Sequence, residues 1–155
     1  MTAVRSGAAA RHIVDLAELA ALFDQPRNGP VRAFFDRETG DLESMPRDVE
    51  VEGVFDDILA APARWIEVHP LPLAERRQLR QRFVDEVVTD PHLRLRLFET
   101  LAGERPLARF DALLREQPVT LDAWMNFRST TLASLVRTWL SALGIDPLES
   151  PAARA

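Results

Sequence analysis

The sequence of 155 residues contains no cysteine, no lysine and no tyrosine. Without cysteine there can be no disulfide, no thiolate metal site and no cysteine nucleophile. Without lysine, every basic residue other than three histidines is an arginine. Glycine is scarce, with six residues scattered singly. A glycine-rich phosphate loop is therefore absent, and so are a G-x-S-x-G elbow and an H-E-x-x-H metal motif. No apolar run approaches the roughly 18 residues that a membrane-spanning helix needs. The start, 1–10, is small and polar and lacks the hydrophobic stretch of a signal peptide. A cytoplasmic protein without membrane contact is the expectation. A net charge of -5 argues against nucleic-acid binding over the whole surface and leaves only a local basic face open.

What is present is apolar patterning sufficient for one domain. Hydrophobic content is 46% and charged content 28%, both ordinary for a globular chain. The longest signal runs over 120–143, where Leu121, Trp124, Met125, Leu132, Leu135, Val136, Trp139, Leu140 and Leu143 recur at three and four residues. That spacing predicts one amphipathic helix roughly 35 Å long. Thr120 can cap it, Gly144 can end it and Pro147 forbids its resumption. Trp139 is expected to be buried against Phe110 or Leu114.

Before it, 13–23 carries the period of a short helix, and 24–30 reads as a loop with no core residue. Val31, Ala33 and Phe35 alternate with Arg32, Phe34 and Asp36, as in a strand. Glu38-Thr39-Gly40 then predicts a hairpin turn with Gly40 at positive φ, leading into a second strand from Asp41 to Met45. Residues 47–52 read as a charged connection, and Val54, Phe55, Ile58 and Leu59 mark a short helix. Trp65-Ile66-Glu67-Val68 is the third strand, closed by Pro70 and Pro72. Beyond Pro72 the pattern is helical throughout. Leu79, Phe83 and Val87 lie on one helix, and Asp90-Pro91 opens the next, carrying Leu93, Leu97, Phe98 and Leu101. Pro106 opens a third, with Phe110, Leu113 and Leu114, which is expected to end at Pro118. Very short linkers imply that these helices fold back on one another. The expected fold is α+β: a small three-stranded antiparallel sheet with nearby helices, followed by a four-helix cluster. One globular domain is expected over 11–148, with disordered tails at 1–10 and 149–155.

The order of three signals is distinctive. An acidic Asp36-to-Gly40 hairpin is followed by the Trp65-to-Val68 strand and by four helices ending in Trp139-to-Ile145. With Arg109-Phe110 and the Trp124-x-x-Phe127 segment, the series resembles a bacterial uncharacterised protein family, a UPF-type group of small proteins. The resemblance spans about Val14 to Pro147. It implies a shared fold and assigns no catalytic residue or cofactor.

Four constellations bear on chemistry. Asp36, Glu38, Asp41 and Glu43 crowd one hairpin and could hold a divalent ion, although a solvated charged turn is the plainer reading. Glu67 and His69 share a strand face, as an acid/base pair would, with a water-capped strand end as the alternative. Ser129 and Thr130 are expected to bond to carbonyls one turn back. The densest signal is arginine: Arg76, Arg77, Arg80 and Arg82, followed by Arg94 and Arg96. Leu79, Phe83 and Val87 mark the buried side of their helix, so Arg76 and Arg80 should lie over its seam. Arg77, with Arg94 or Arg96 beyond the Asp90-Pro91 turn, should face an external anion or partner. The function expected is a non-enzymatic binding or regulatory protein with a protein partner, no catalytic residue, no metal and no cofactor. The alternatives are a nucleic-acid-associated protein using the arginine-rich helix and a metal-dependent hydrolase drawing on the acidic hairpin and His69.

Overall fold

A computed structural model of the chain describes residues 10–47, 53 and 55–148. The fold is α+β. In chain order its elements are β1 (Ala10–Ile13), α1 (Leu16–Phe23), β2 (Val31–Asp36), β3 (Leu42–Pro46), α2 (Asp56–Ala60), β4 (Trp65–Val68), α3 (Leu73–Glu86), α4 (Pro91–Ala102), α5 (Pro106–Arg115), α6 (Pro118–Ala142) and β5 (Ile145–Leu148). The expected tails 1–9 and 149–155, most of the charged connection and Val54 lie outside the described residues. Ala10, the last residue of the first expected tail, begins β1.

The three-stranded sheet has the order β3-β2-β4, antiparallel throughout. Phe35 faces Leu42 on one side and Ile66 on the other. Gly40 turns the hairpin at φ +84, and a Cβ there would meet the His12 Cβ at 2.8 Å and the Ile13 carbonyl oxygen at 2.9 Å. The turn thus needs glycine twice over, for its backbone conformation and for the close passage of β1.

β1 corrects the expectation of one helix from Ile13 to Phe23. Ala10–Ile13 pairs in parallel with Ile145–Leu148, and α1 starts only at Leu16, where Asp15 caps it by accepting from the Glu18 amide at 3.0 Å. A four-residue strand whose partner lies at the far end of the chain leaves no local period to read. His12 is consequently part of a strand, and its Nε2 lies 2.8 Å from the Arg37 carbonyl oxygen.

The four helices from α3 to α6 form the expected cluster. α6 begins at Pro118, earlier than Thr120, with Gln117 as its cap residue and no side-chain cap bond. At 25 residues it is about 37 Å long. The 10-residue α5 can cover less than half of that length. Phe110 therefore meets Trp124, near the start of α6, with ring centroids 5.5 Å apart, and Phe83 meets the same indole at 5.2 Å. Trp139, about four turns further on, does not reach Phe110 or Leu114. It is half-buried, edge-on to Phe23 at 6.0 Å and to Phe35 at 5.5 Å, and joins α6 to α1 and the sheet. One core runs through both parts, from Val14, Leu19, Phe35 and Val68 to Phe83, Leu97, Phe110, Leu132 and Leu140.

Candidate functional site

Asp24 stands at the C-terminal cap of α1. A carboxylate there faces the negative end of the helix dipole, which by itself is unfavourable. Three arginines reverse the sign. Oδ1 accepts from Arg76 Nε and from Arg80 Nη1, both at 3.0 Å. Oδ2 accepts from Arg80 Nη2 at 3.2 Å and from Arg128 Nε at 2.6 Å. Arg76 also donates from Nη2 to the Asp24 carbonyl oxygen at 2.8 Å, satisfying an α1 end group that the helix leaves open.

The centre is buried. Side-chain exposure is 2% for Asp24, 3% for Arg80, 12% for Arg76 and 25% for Arg128. Burial pushes the Asp24 carboxyl up, but the bonds and charge of Arg80, with Arg128 and Arg76, outweigh it and hold the pKa below its ordinary value. Arg80 is further steadied by Trp124 and Phe110, whose ring centres lie 5.1 and 5.9 Å from its Cζ. The position of these groups follows from helical spacing. Arg76 and Arg80 are one turn apart on α3, flanking the stripe of Leu79 and Phe83, and so project together toward the α1 end.

A cavity of about 280 Å³ opens on this centre. Its charged wall consists of Asp24, Arg76, Arg80, Arg128, Asp111 and Arg115, and its apolar wall of Leu114, Leu121, Trp124 and Met125. Arg80 Nε and Asp111 Oδ1 approach to 3.6 Å, too far for a hydrogen bond, and both atoms are buried without a partner. The exposed Arg115 enters no ion pair or side-chain hydrogen bond among the described residues.

The anion-facing set expected from the sequence is arranged differently. Arg77 is half-buried with an unpartnered Nε, Arg94 lies 3.6 Å from Asp85, and Arg96 lies 4.0 Å from Glu116. None of the three lines the cavity at Asp24. Arg76 and Arg80 do lie over the seam, as their spacing implied, and the residue they meet there is Asp24. The expectation of a loop from 24 to 30 without a core residue is thus corrected at its first position. The one local signal was an acidic residue at the wrong end of a helix. Arg128, on the far side of the chain, gave none.

The acidic hairpin is a folded turn of its own. Asp36 takes a bidentate grip from Arg64, at 3.0 and 2.8 Å, and accepts from the Glu38 amide and the Thr39 hydroxyl. Arg64 and these bonds lower its pKa to about 2. Glu67 is likewise held by Arg32, at 2.8 and 3.0 Å, which lowers its pKa, and His69 lies 3.9 Å away. Arg32, Glu67 and His69 line a larger cleft of about 690 Å³ with Arg27 and Arg47. Thr138 makes the one-turn-back bond on α6, to Ser134, in place of Ser129 and Thr130. Among the described residues no group of three or more His, Asp or Glu side chains is placed to hold a metal ion. No helix among them is long and apolar enough to cross a membrane.

The model of an uncharacterised protein family (UPF0158) matches residues 33–150. That range takes in all but the first two residues of the three-stranded sheet, α3 to α6 and every arginine of the cavity, and it begins after Asp24. No curated protein and no solved structure matches the chain.

Proposed function

Because the chain belongs to the uncharacterised protein family UPF0158, we propose its function from its own site: a non-enzymatic binding or regulatory protein of the cytoplasm. Its binding centre is the arginine-lined cavity at Asp24. The observation that carries this reading is the inward turn of the arginines. Arg76, Arg80 and Arg128 converge on one carboxylate and remain beside a cavity that also holds Arg115, which has no ion-pair partner among the described residues. Guanidinium groups held in fixed directions at a partly enclosed surface favour anions. The carboxylates that a hydrolase would employ as base or ligand are instead committed to arginines: Asp24, Asp36 and Glu67 all have lowered pKa values. A general base works best with a pKa near the operating pH.

The nucleic-acid alternative loses support from the same geometry. Arg76 and Arg80 are spent inward, and Arg82, Arg94 and Arg96 each have a carboxylate neighbour. A thermal-shift screen of small anionic, neutral and cationic compounds tests the reading, since a ligand that binds only the folded state raises Tm by mass action. Stabilisation confined to anions, and reduced by Arg115→Glu, is the expected outcome. Stabilisation by cations or neutral compounds alone would overturn it. So would micromolar binding of DNA or RNA at physiological salt in an anisotropy titration.

A protein partner is the second reading, favoured by a different observation. β4 is an edge strand of its sheet, and a groove of about 530 Å³ lined by Phe34, Ile58, Leu59, Trp65, Ile66 and Trp139 runs beside it. An unpaired edge next to apolar side chains suits addition of an extended peptide.

A further inference from the structure

The cavity at Asp24 has a charge balance that selects among anions. Four arginines, Arg76, Arg80, Arg115 and Arg128, face two aspartates, Asp24 and Asp111, which leaves an excess of two positive charges at its wall. Three of those arginines are fixed by Asp24, so their orientation is set before any ligand arrives. Donors remain after Asp24 is satisfied. The Arg80 Nε is buried without a hydrogen-bond partner, 3.6 Å from Asp111 Oδ1, and Arg115 enters no ion pair among the described residues. Arg128 bonds Asp24 through Nε, and its two terminal nitrogens make no further hydrogen bond among the described residues.

We propose that this cavity binds a compact dianion of the phosphate class, either inorganic phosphate or the phosphate group of a small monoester. The proposal rests on the binding reading above and names its ligand chemistry. A phosphate monoester carries about -1.5 to -2 charges at neutral pH, which matches the excess at the wall. Its tetrahedral oxygens can accept from donors that arrive from α3, α5 and α6 at once. A single planar carboxylate suits a bidentate pair, the arrangement that Asp24 already occupies. The cavity of about 280 Å³ lies at the small end of ligand sites, and Trp124, Leu121 and Met125 give it one apolar side for a short organic group.

The test is an NMR titration of the full chain, read at the indole N–H of Trp124. Inorganic phosphate, glycerol 3-phosphate, succinate and acetate are compared at constant ionic strength. A saturable Trp124 shift with phosphate or glycerol 3-phosphate, and none with acetate, is expected. Arg115→Gln, which removes an exposed charge without touching the Asp24 network, should weaken it about tenfold, the scale of one charge-assisted bond. Arg82→Gln, an exposed arginine elsewhere on α3, should leave it unchanged. Tighter binding of glycerol 3-phosphate assigns the site to monoesters, and tighter binding of phosphate assigns it to the free ion. A linear response, or one that both variants reduce equally, would overturn the proposal. Saturation by succinate alone would reject the phosphate class and keep the binding centre. No response to any of the four would sink both.

Discussion

Asp24 and Asp36 are both carboxylates with 2% side-chain exposure, and both are held by arginine. Their networks differ in reach. Asp36 is bonded by its own turn, through Glu38 and Thr39, and by one arginine, Arg64, whose side chain is 41% exposed. The Asp24 carboxylate accepts from no nearby group among the described residues: its three arginines lie 52, 56 and 104 positions away. Asp36 therefore shapes a turn that already exists locally. Asp24 joins the end of α1 to α3 and α6 and exists as a centre only when those helices have packed. The difference teaches where a buried charge organises a turn and where it organises a domain. In a turn, water still reaches the cation. At a helix junction, several cations depend on one anion.

Removing the anion should separate the two cases. Asp24→Ala leaves three buried or half-buried arginines without a counter-ion, and its expected cost is about 3–5 kcal/mol, the range for breaking a buried ion pair. Equilibrium urea unfolding measures it. Asp36→Asn keeps the shape and loses the charge, and the expected cost is smaller, about 1–2 kcal/mol after allowance for the exposure of Arg64. If the two variants proved equally destabilised, the distinction between a turn and a junction would fail.

Acid sharpens the comparison. Both carboxyls titrate below the ordinary value of 3.8 in the folded chain, Asp36 at about 2. A lowered folded pKa means that the unfolded chain binds protons first as pH falls. The Asp36 contribution is thus fully present above 3.8 and is lost as pH falls from there through about 2. Tm measured across this window should fall less steeply for Asp36→Asn than for the parent chain. Parallel curves would show that Asp36 contributes nothing to the acid response.

The smallest effect belongs to an ion pair that is neither turn nor junction. Arg82 and Glu86, one helical turn apart and each about half exposed, approach to 3.6 Å. Arg82→Ala should change stability by no more than about 0.5 kcal/mol. A larger loss in the same urea experiment would mean that exposed arginines of α3 matter as much as Arg76 and Arg80.

Several features of this protein were determined by the sequence alone, because their causes are local. The period of 120–143 marks α6, Asp90-Pro91 starts α4 with the Asp90 carboxylate accepting from the His92 amide, and Gly40 turns the hairpin. The alternation around Phe35 and Ile66 was enough to place three strands in one antiparallel sheet. Even the seam positions of Arg76 and Arg80 follow from their spacing to Leu79. Tertiary structure decided the rest. β1 and β5 are four residues each and pair in parallel with one another from opposite ends of the described chain. The two tryptophans of α6 share one stripe, yet the length of α5 decided that Trp124 meets Phe110 while Trp139 goes to Phe23 and Phe35. The cavity depends on Asp24 and Arg128, 104 positions apart, and no periodicity links a helix cap to a residue on a distant helix. Local chemistry can prescribe an element and its buried side; which charges meet is settled when those sides pack.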